Sequence, residues 1–181
     1  MRTVERFVLA VEGINEVAGR GAAWLTLAML VITFAVVVLR YVFSIGFVWL
    51  QESYVWLHGV VFMVGAGYTL AYDGHVRVDI LYRDAPARTK ALIDLLGAAV
   101  LLLPFVLAVA WVSWPYVAAG WLRLEGSREA GGLPGLFLLK SVLLVFCLLL
   151  GLQGLAMAGR ALLCLAGRPV PPAPHDRPAD R

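Results

Sequence analysis

The chain has 181 residues, 61% of them hydrophobic and only 15% charged, with a formal net charge of +3. Its mean hydropathy of +0.84 reflects far more apolar side chain than one small soluble core can bury, which excludes an ordinary water-soluble domain. Apolar runs near the length that crossing a bilayer requires recur along the chain, so the expected fold class is an all-α membrane protein with four transmembrane helices. The alternation of a transmembrane barrel does not repeat anywhere.

The chain opens with "VERFVLAVEGINEVAGR", which puts Val4, Phe7, Val8, Val11, Ile14 and Val17 on or near one helical stripe and Glu5, Glu12 and Glu16 elsewhere around it. That pattern predicts an amphipathic interfacial helix over residues 1–19, lying on the membrane surface. A first span follows over 20–42; its apolar run is too long for a cleaved leader and leads into "RYVF" rather than a small-x-small site. The remaining spans are expected over 53–72, 91–118 and 134–164, with Pro104 and Pro115 as candidate kinks in the third. Residues 20–164 thus make a four-helix transmembrane domain. Residues 165–181 end in "RPVPPAPHDRPADR", so rich in proline and charge that a disordered tail is expected. Cys147 and Cys164 fall on one helix, about 25 Å apart at helical rise, and cannot bridge each other.

Lysine and arginine near the span ends set the orientation. With the N-terminus inside, Arg2, Arg6, Arg20, Arg77, Arg83, Arg88, Lys90, Arg160, Arg168, Arg177 and Arg181 are cytoplasmic, against Arg40, Arg123, Arg128 and Lys140 outside. Both termini are therefore expected in the cytoplasm, and the net positive charge fits an anionic lipid surface without a nucleic-acid partner. Trp49, Trp56, Trp111, Trp114 and Trp121 gather towards the outer ends and Trp24 near an inner one. Such a belt serves either lipid anchoring or docking of another protein.

Polar groups within the spans are few, and each is costly there. They are His58 on the second, Asp94 near the start of the third, and Lys140 and Gln153 on the fourth. His58 is a candidate haem ligand, but His75 and His175 fall outside the spans, so no second axial histidine is available; an interhelical hydrogen bond is the plainer role. Arg40 and Glu52 bracket the short outer connection and are expected to pair across that hairpin, the alternative being two separate interfacial charges. Gly65, Ala66, Gly67 and Thr69, and again Gly151, Gly154 and Ala158, form small-residue patches suited to packing inside the bundle or against a second membrane protein.

Between the second and third spans lies "YDGHVRVDILYRD". Asp73, His75 and Asp79 have metal-ligand chemistry but no further ligands at suitable spacing, and no nucleophile accompanies them. The alternation of His75, Arg77 and Asp79 with Val76, Val78 and Ile80 suggests instead an extended cytoplasmic segment with one polar edge. There Gly74 would let the chain turn and Arg77 would sit at the lipid surface. The outer loop Ala119 to Gly135 carries Arg123, Glu125, Arg128 and Glu129, a mixture suited to a salt-sensitive contact with a soluble partner or to a plain solvated loop.

Several motifs, taken in order, resemble one family. "LRYVF", Trp49, the "QE" at Gln51 and Glu52, "DGHVRVD", "GGLPGLFLLK" and "LLGLQGLA" are similar to the small, DctQ-type membrane subunit of tripartite ATP-independent periplasmic (TRAP) transporters, from about Trp24 to Ala156. The resemblance implies a non-catalytic subunit without cofactor or metal. It would act as a scaffold at the bacterial inner membrane for a large multi-pass permease, which takes up an organic acid or related solute from a periplasmic binding protein on an ion gradient. It marks Arg40 and Glu52 in the outer hairpin, Gly74, His75, Arg77 and Asp79 in the inner loop, and Gly132, Leu133 and Pro134 before the last helix. Lys140 and Gln153 match one branch of the family, associated with oxo acids, mannitol-like or haloaromatic compounds. The competing readings are a haem-bearing or quinone-linked membrane anchor of an electron-transfer complex and an isolated membrane scaffold.

Overall fold

The structure, a computed structural model, describes residues 2–76, 82 and 84–174. Four helices account for most of them: α1 (Arg2–Val42), α2 (Val48–Ala71), α3 (Ala87–Leu122) and α4 (Leu136–Leu165), each long and apolar enough to cross a membrane. No β-strand occurs among the described residues. The helices alternate in direction, so the ends of α2 and α4 and the starts of α1 and α3 share one side, here the termini side. The α1–α2 and α3–α4 connections lie on the far side.

The amphipathic segment and the first apolar run form one uninterrupted helix of 41 residues, about 60 Å long at helical rise. No proline interrupts it, and isolated glycines are tolerated within a helix at modest cost. Part of the expected surface-lying stripe packs on protein: Val8 and Val11 form a core cluster with Ala156 of α4, flanked by Val4 and Leu152.

α4 is the central helix and packs against each of the other three. A third of its most apolar stretch (33%) is buried within the chain, against 6–11% for α1, α2 and α3. A second cluster, Val106, Cys147 and Leu150, joins α3 to α4. Small residues on α4 make this approach possible: a Cβ on Gly154 would stand 2.9 Å from a Leu102 methyl.

α3 widens into a π-helical turn at Gly97–Leu102. Pro104 follows directly and has no N–H to return to the carbonyl of Val100, so the ladder is already one bond short there. Pro115 lies inside the unbroken Leu103–Leu122 segment.

Three helices end by the same hydrogen-bonded reversal, in which one residue adopts a left-handed conformation. After α2 it is Asp73 (φ 54°), not the expected Gly74, whose N–H instead reaches the Thr69 carbonyl at 2.8 Å. After α3 it is Leu124 (φ 45°), and after α4 Gly167 (φ 64°). Beyond Gly167 the chain turns back on the bundle, and Pro174 is fully buried. Residues 166–170 stay exposed, and the contact of the expected disordered tail with the bundle is made by residues 171–174, for reasons that lie with Arg160.

Candidate functional site

The polar side chains of the bundle gather at two places, one on each side. On the far side, Glu52 sits in the second turn of α2 and faces the α3–α4 loop. One carboxylate oxygen accepts the Ser127 hydroxyl and the other accepts the Leu133 N–H at 2.6 Å. Ser127 and Leu133 are themselves joined by a backbone bond of 3.0 Å, and the Ser127 hydroxyl accepts the Glu129 N–H at 3.1 Å. Gly132 is wedged in this turn; a Cβ there would lie 2.4 Å from the Ser127 Oγ and 2.7 Å from Glu52. The loop expected to be a contact surface or a solvated segment is thus tied by a carboxylate to α2.

This arrangement replaces the expected Arg40–Glu52 pair. Arg40 is exposed at the end of α1 and makes no ion pair with Glu52. A backbone N–H and a hydroxyl, held together by the 127–133 turn, need less ordering than a long guanidinium side chain at a helix end.

One turn into α4, Lys140 is 8% exposed and pairs with Glu125 at the start of the same loop. Its ammonium also lies 3.9 Å from the centre of the Tyr116 ring, so the buried charge has a carboxylate and an aromatic face. The Lys140 hydrogen bond holds the Glu125 carboxyl below its usual range, with the charges of Lys140, Arg128 and Arg123 adding to the effect. Trp121 completes this face, donating to Ser141 at 2.8 Å and meeting Phe137 edge-on at 4.6 Å. Pro134 is exposed beside Gly135, which caps α4 in a left-handed conformation (φ 93°).

On the termini side, Gln153 (3% exposed) accepts a hydrogen bond of 3.0 Å from Asn15 of α1, which is fully buried. The same Asn15 amide reaches the Val11 and Leu149 carbonyls at 3.3 and 3.4 Å. Its oxygen has no N–H or O–H donor and lies against Gly67 of α2, where a Cβ would come within 2.1 Å. A glycine Cα–H is the group available to it. One turn away, Glu12 (1% exposed) forms a two-point ion pair with Arg160, whose Nη2 is 2.9 Å from the second carboxylate oxygen. Arg160 also donates to the carbonyls of Pro171 and Pro172 at 2.6 and 3.0 Å. Tyr82 donates to Asp94 at 2.9 Å near the start of α3.

Of the residues singled out in the sequence, the structure engages the side chains of Glu52, Asp94, Lys140 and Gln153 in polar contacts. His75 is exposed, and Gly74 packs on Thr69 at the end of α2. Arg77 and Asp79 lie outside the described residues, as do Val78 and Ile80. His58 is exposed on α2 beside Phe62, with ring centres 6.4 Å apart. Asn15, Glu12, Arg160, Ser127 and Glu125 were not anticipated in these roles. A sequence signal existed for Asn15, a polar residue on the expected apolar stripe, falling between Val4 and Val8 around the helix. No group of three or more His, Cys, Asp or Glu side chains able to hold a metal occurs among the described residues.

The arrangement is that of a helical unit fastened at both ends. Comparison with known proteins identifies it. The family model for the DctQ component of tripartite ATP-independent periplasmic transporters matches residues 29–164. The chain belongs to this family. The C4-dicarboxylate TRAP transporter small permease protein DctQ of Vibrio cholerae serotype O1 is 35% identical over 89 residues, which are 49% of this chain and 38% of that relative. The chain therefore matches well under half the length of this curated DctQ relative. No solved structure matches. The chain has four helices long and apolar enough to cross a membrane, and the polar side chains of both anchor regions, Glu12 and Asn15 apart, lie inside the matched range.

Proposed function

We propose that this DctQ component is the small, non-catalytic subunit of a TRAP-type secondary transporter of the bacterial inner membrane, with both termini cytoplasmic. It would scaffold a large multi-pass permease during ion-gradient-driven uptake of an organic acid or related solute delivered by a periplasmic binding protein. The observation that carries this reading is the uncovered apolar surface. Phe34 on α1 and Trp111 on α3 are 68% and 84% exposed, within helices that leave about nine-tenths of their most apolar stretches unburied. A four-helix unit anchored at both ends presents this surface as a fixed wall for further transmembrane helices.

The lysine and arginine distribution supports placing the termini side in the cytoplasm. The far-side cap, with Arg123, Arg128 and Glu129 exposed on a loop fastened to α2 and α4, suits a transient contact with a soluble periplasmic partner. Reconstituted uptake tests the scaffold role. Proteoliposomes holding the large permease, supplied with binding protein, solute and a sodium gradient, are expected to transport only when this chain is present. Equal uptake without it contradicts the proposal.

A further inference from the structure

On the termini side, the four helices line a half-open cavity of about 290 Å³ whose walls include Glu12, Gln153, Arg160 and the partly exposed Cys164. The segment that leaves α4 supplies the remaining wall through Val170, Ala173 and Pro174. Three features hold it there. The reversal at Gly167, with the Arg168 N–H on the Leu163 carbonyl at 3.0 Å, sends the chain back towards the helices. Arg160 then grips the carbonyls of Pro171 and Pro172 while Glu12 holds the other edge of its guanidinium. Prolines suit such a segment, because they offer carbonyls to a cation and strand no N–H against an apolar wall.

We propose that residues 166–174 are a strap that covers one side of this cavity, latched by Arg160 and positioned by Glu12, and that its release opens the termini end of the bundle further to water. Glu12 belongs to α1, so the strap also covers the ion pair that ties α1 to α4. Release transmits a change in the C-terminal segment to the hold on the N-terminal half of α1.

Cys164 reports the state of the cavity. In a Cys147→Ala background it is the sole thiol of the chain, and its labelling by a charged maleimide is followed by intact mass on purified full-length protein. An exposed Ala166→Cys control in a chain lacking both native cysteines sets the fast limit. Cys164 is expected to react slowly, and Pro174→Asp or truncation after Gly167 to accelerate it about tenfold, the change given by a strap open about one-tenth of the time. Equal rates in the strapped and released chains, or a parent rate equal to the exposed control, overturn the proposal. A strap that opens must be separable from the fold, so unfolding of the bundle on truncation also contradicts it.

Discussion

Glu12 on α1 and Arg160 on α4 stand 148 positions apart and meet as a two-point ion pair in which Glu12 is 1% exposed. Removing one member of such a pair strands the other charge, whereas replacing both with apolar side chains of similar volume removes the problem. Glu12→Ala is expected to destabilise the purified chain by about 3 kcal/mol or more, and Glu12→Leu with Arg160→Met to recover most of that. Thermal unfolding in detergent of the single and double variants checks this.

A contact between Asn15 and Gly67 makes a second expectation sharp. A Cβ at position 67 would meet the Asn15 oxygen and, at 3.3 Å, the Leu149 backbone. Gly67→Ala is expected to cost about 1–3 kcal/mol through overpacking. Gly65→Ala, with nothing within 4 Å of its new methyl, is expected to be neutral or to gain up to about 1 kcal/mol from helix propensity. Melting temperatures of the two variants should move in opposite directions, or only the first should move.

These contacts also show what the sequence could and could not disclose. The four spans were legible because each apolar run is long enough to cross a bilayer, and Lys140 and Gln153 stood out as polar residues within one. The continuity of α1 was legible in principle, since nothing between residues 1–19 and 20–42 breaks a helix. Partners were not legible. Arg40 and Glu52 are near in sequence, but proximity does not reveal that the 127–133 turn offers Glu52 a hydroxyl and an N–H already held together. Glu12 read as part of a solvated face because its counter-charge lies at the other end of the chain.

The Glu125–Lys140 pair predicts a pH dependence. The folded-state carboxyl of Glu125 lies below the ordinary value of 4.5. Its contribution to stability is therefore fully present above that ordinary value and is lost as pH falls through the lower folded one. Wild type is expected to melt above Glu125→Gln at neutral pH and to converge with it in acid. A constant gap across the titration is the contrary result.

Exposed Arg123 and Arg128 test the far-side cap as a docking surface. Reversing both charges is expected to slow uptake about threefold or more at limiting binding protein and low salt, with the difference shrinking as ionic strength rises. Their position on a loop tied to Glu52 and Lys140 allows the change without disturbing the helices. Uptake that is unchanged at every salt concentration contradicts docking there.

The central proposal is that this DctQ component sits beside a larger permease, and gentle copurification tests it most directly. A tagged copy coexpressed with the large multi-pass subunit is expected to retain that subunit in constant ratio through affinity capture and size exclusion. A tagged chain that elutes alone, while both proteins accumulate in the membrane, contradicts the account.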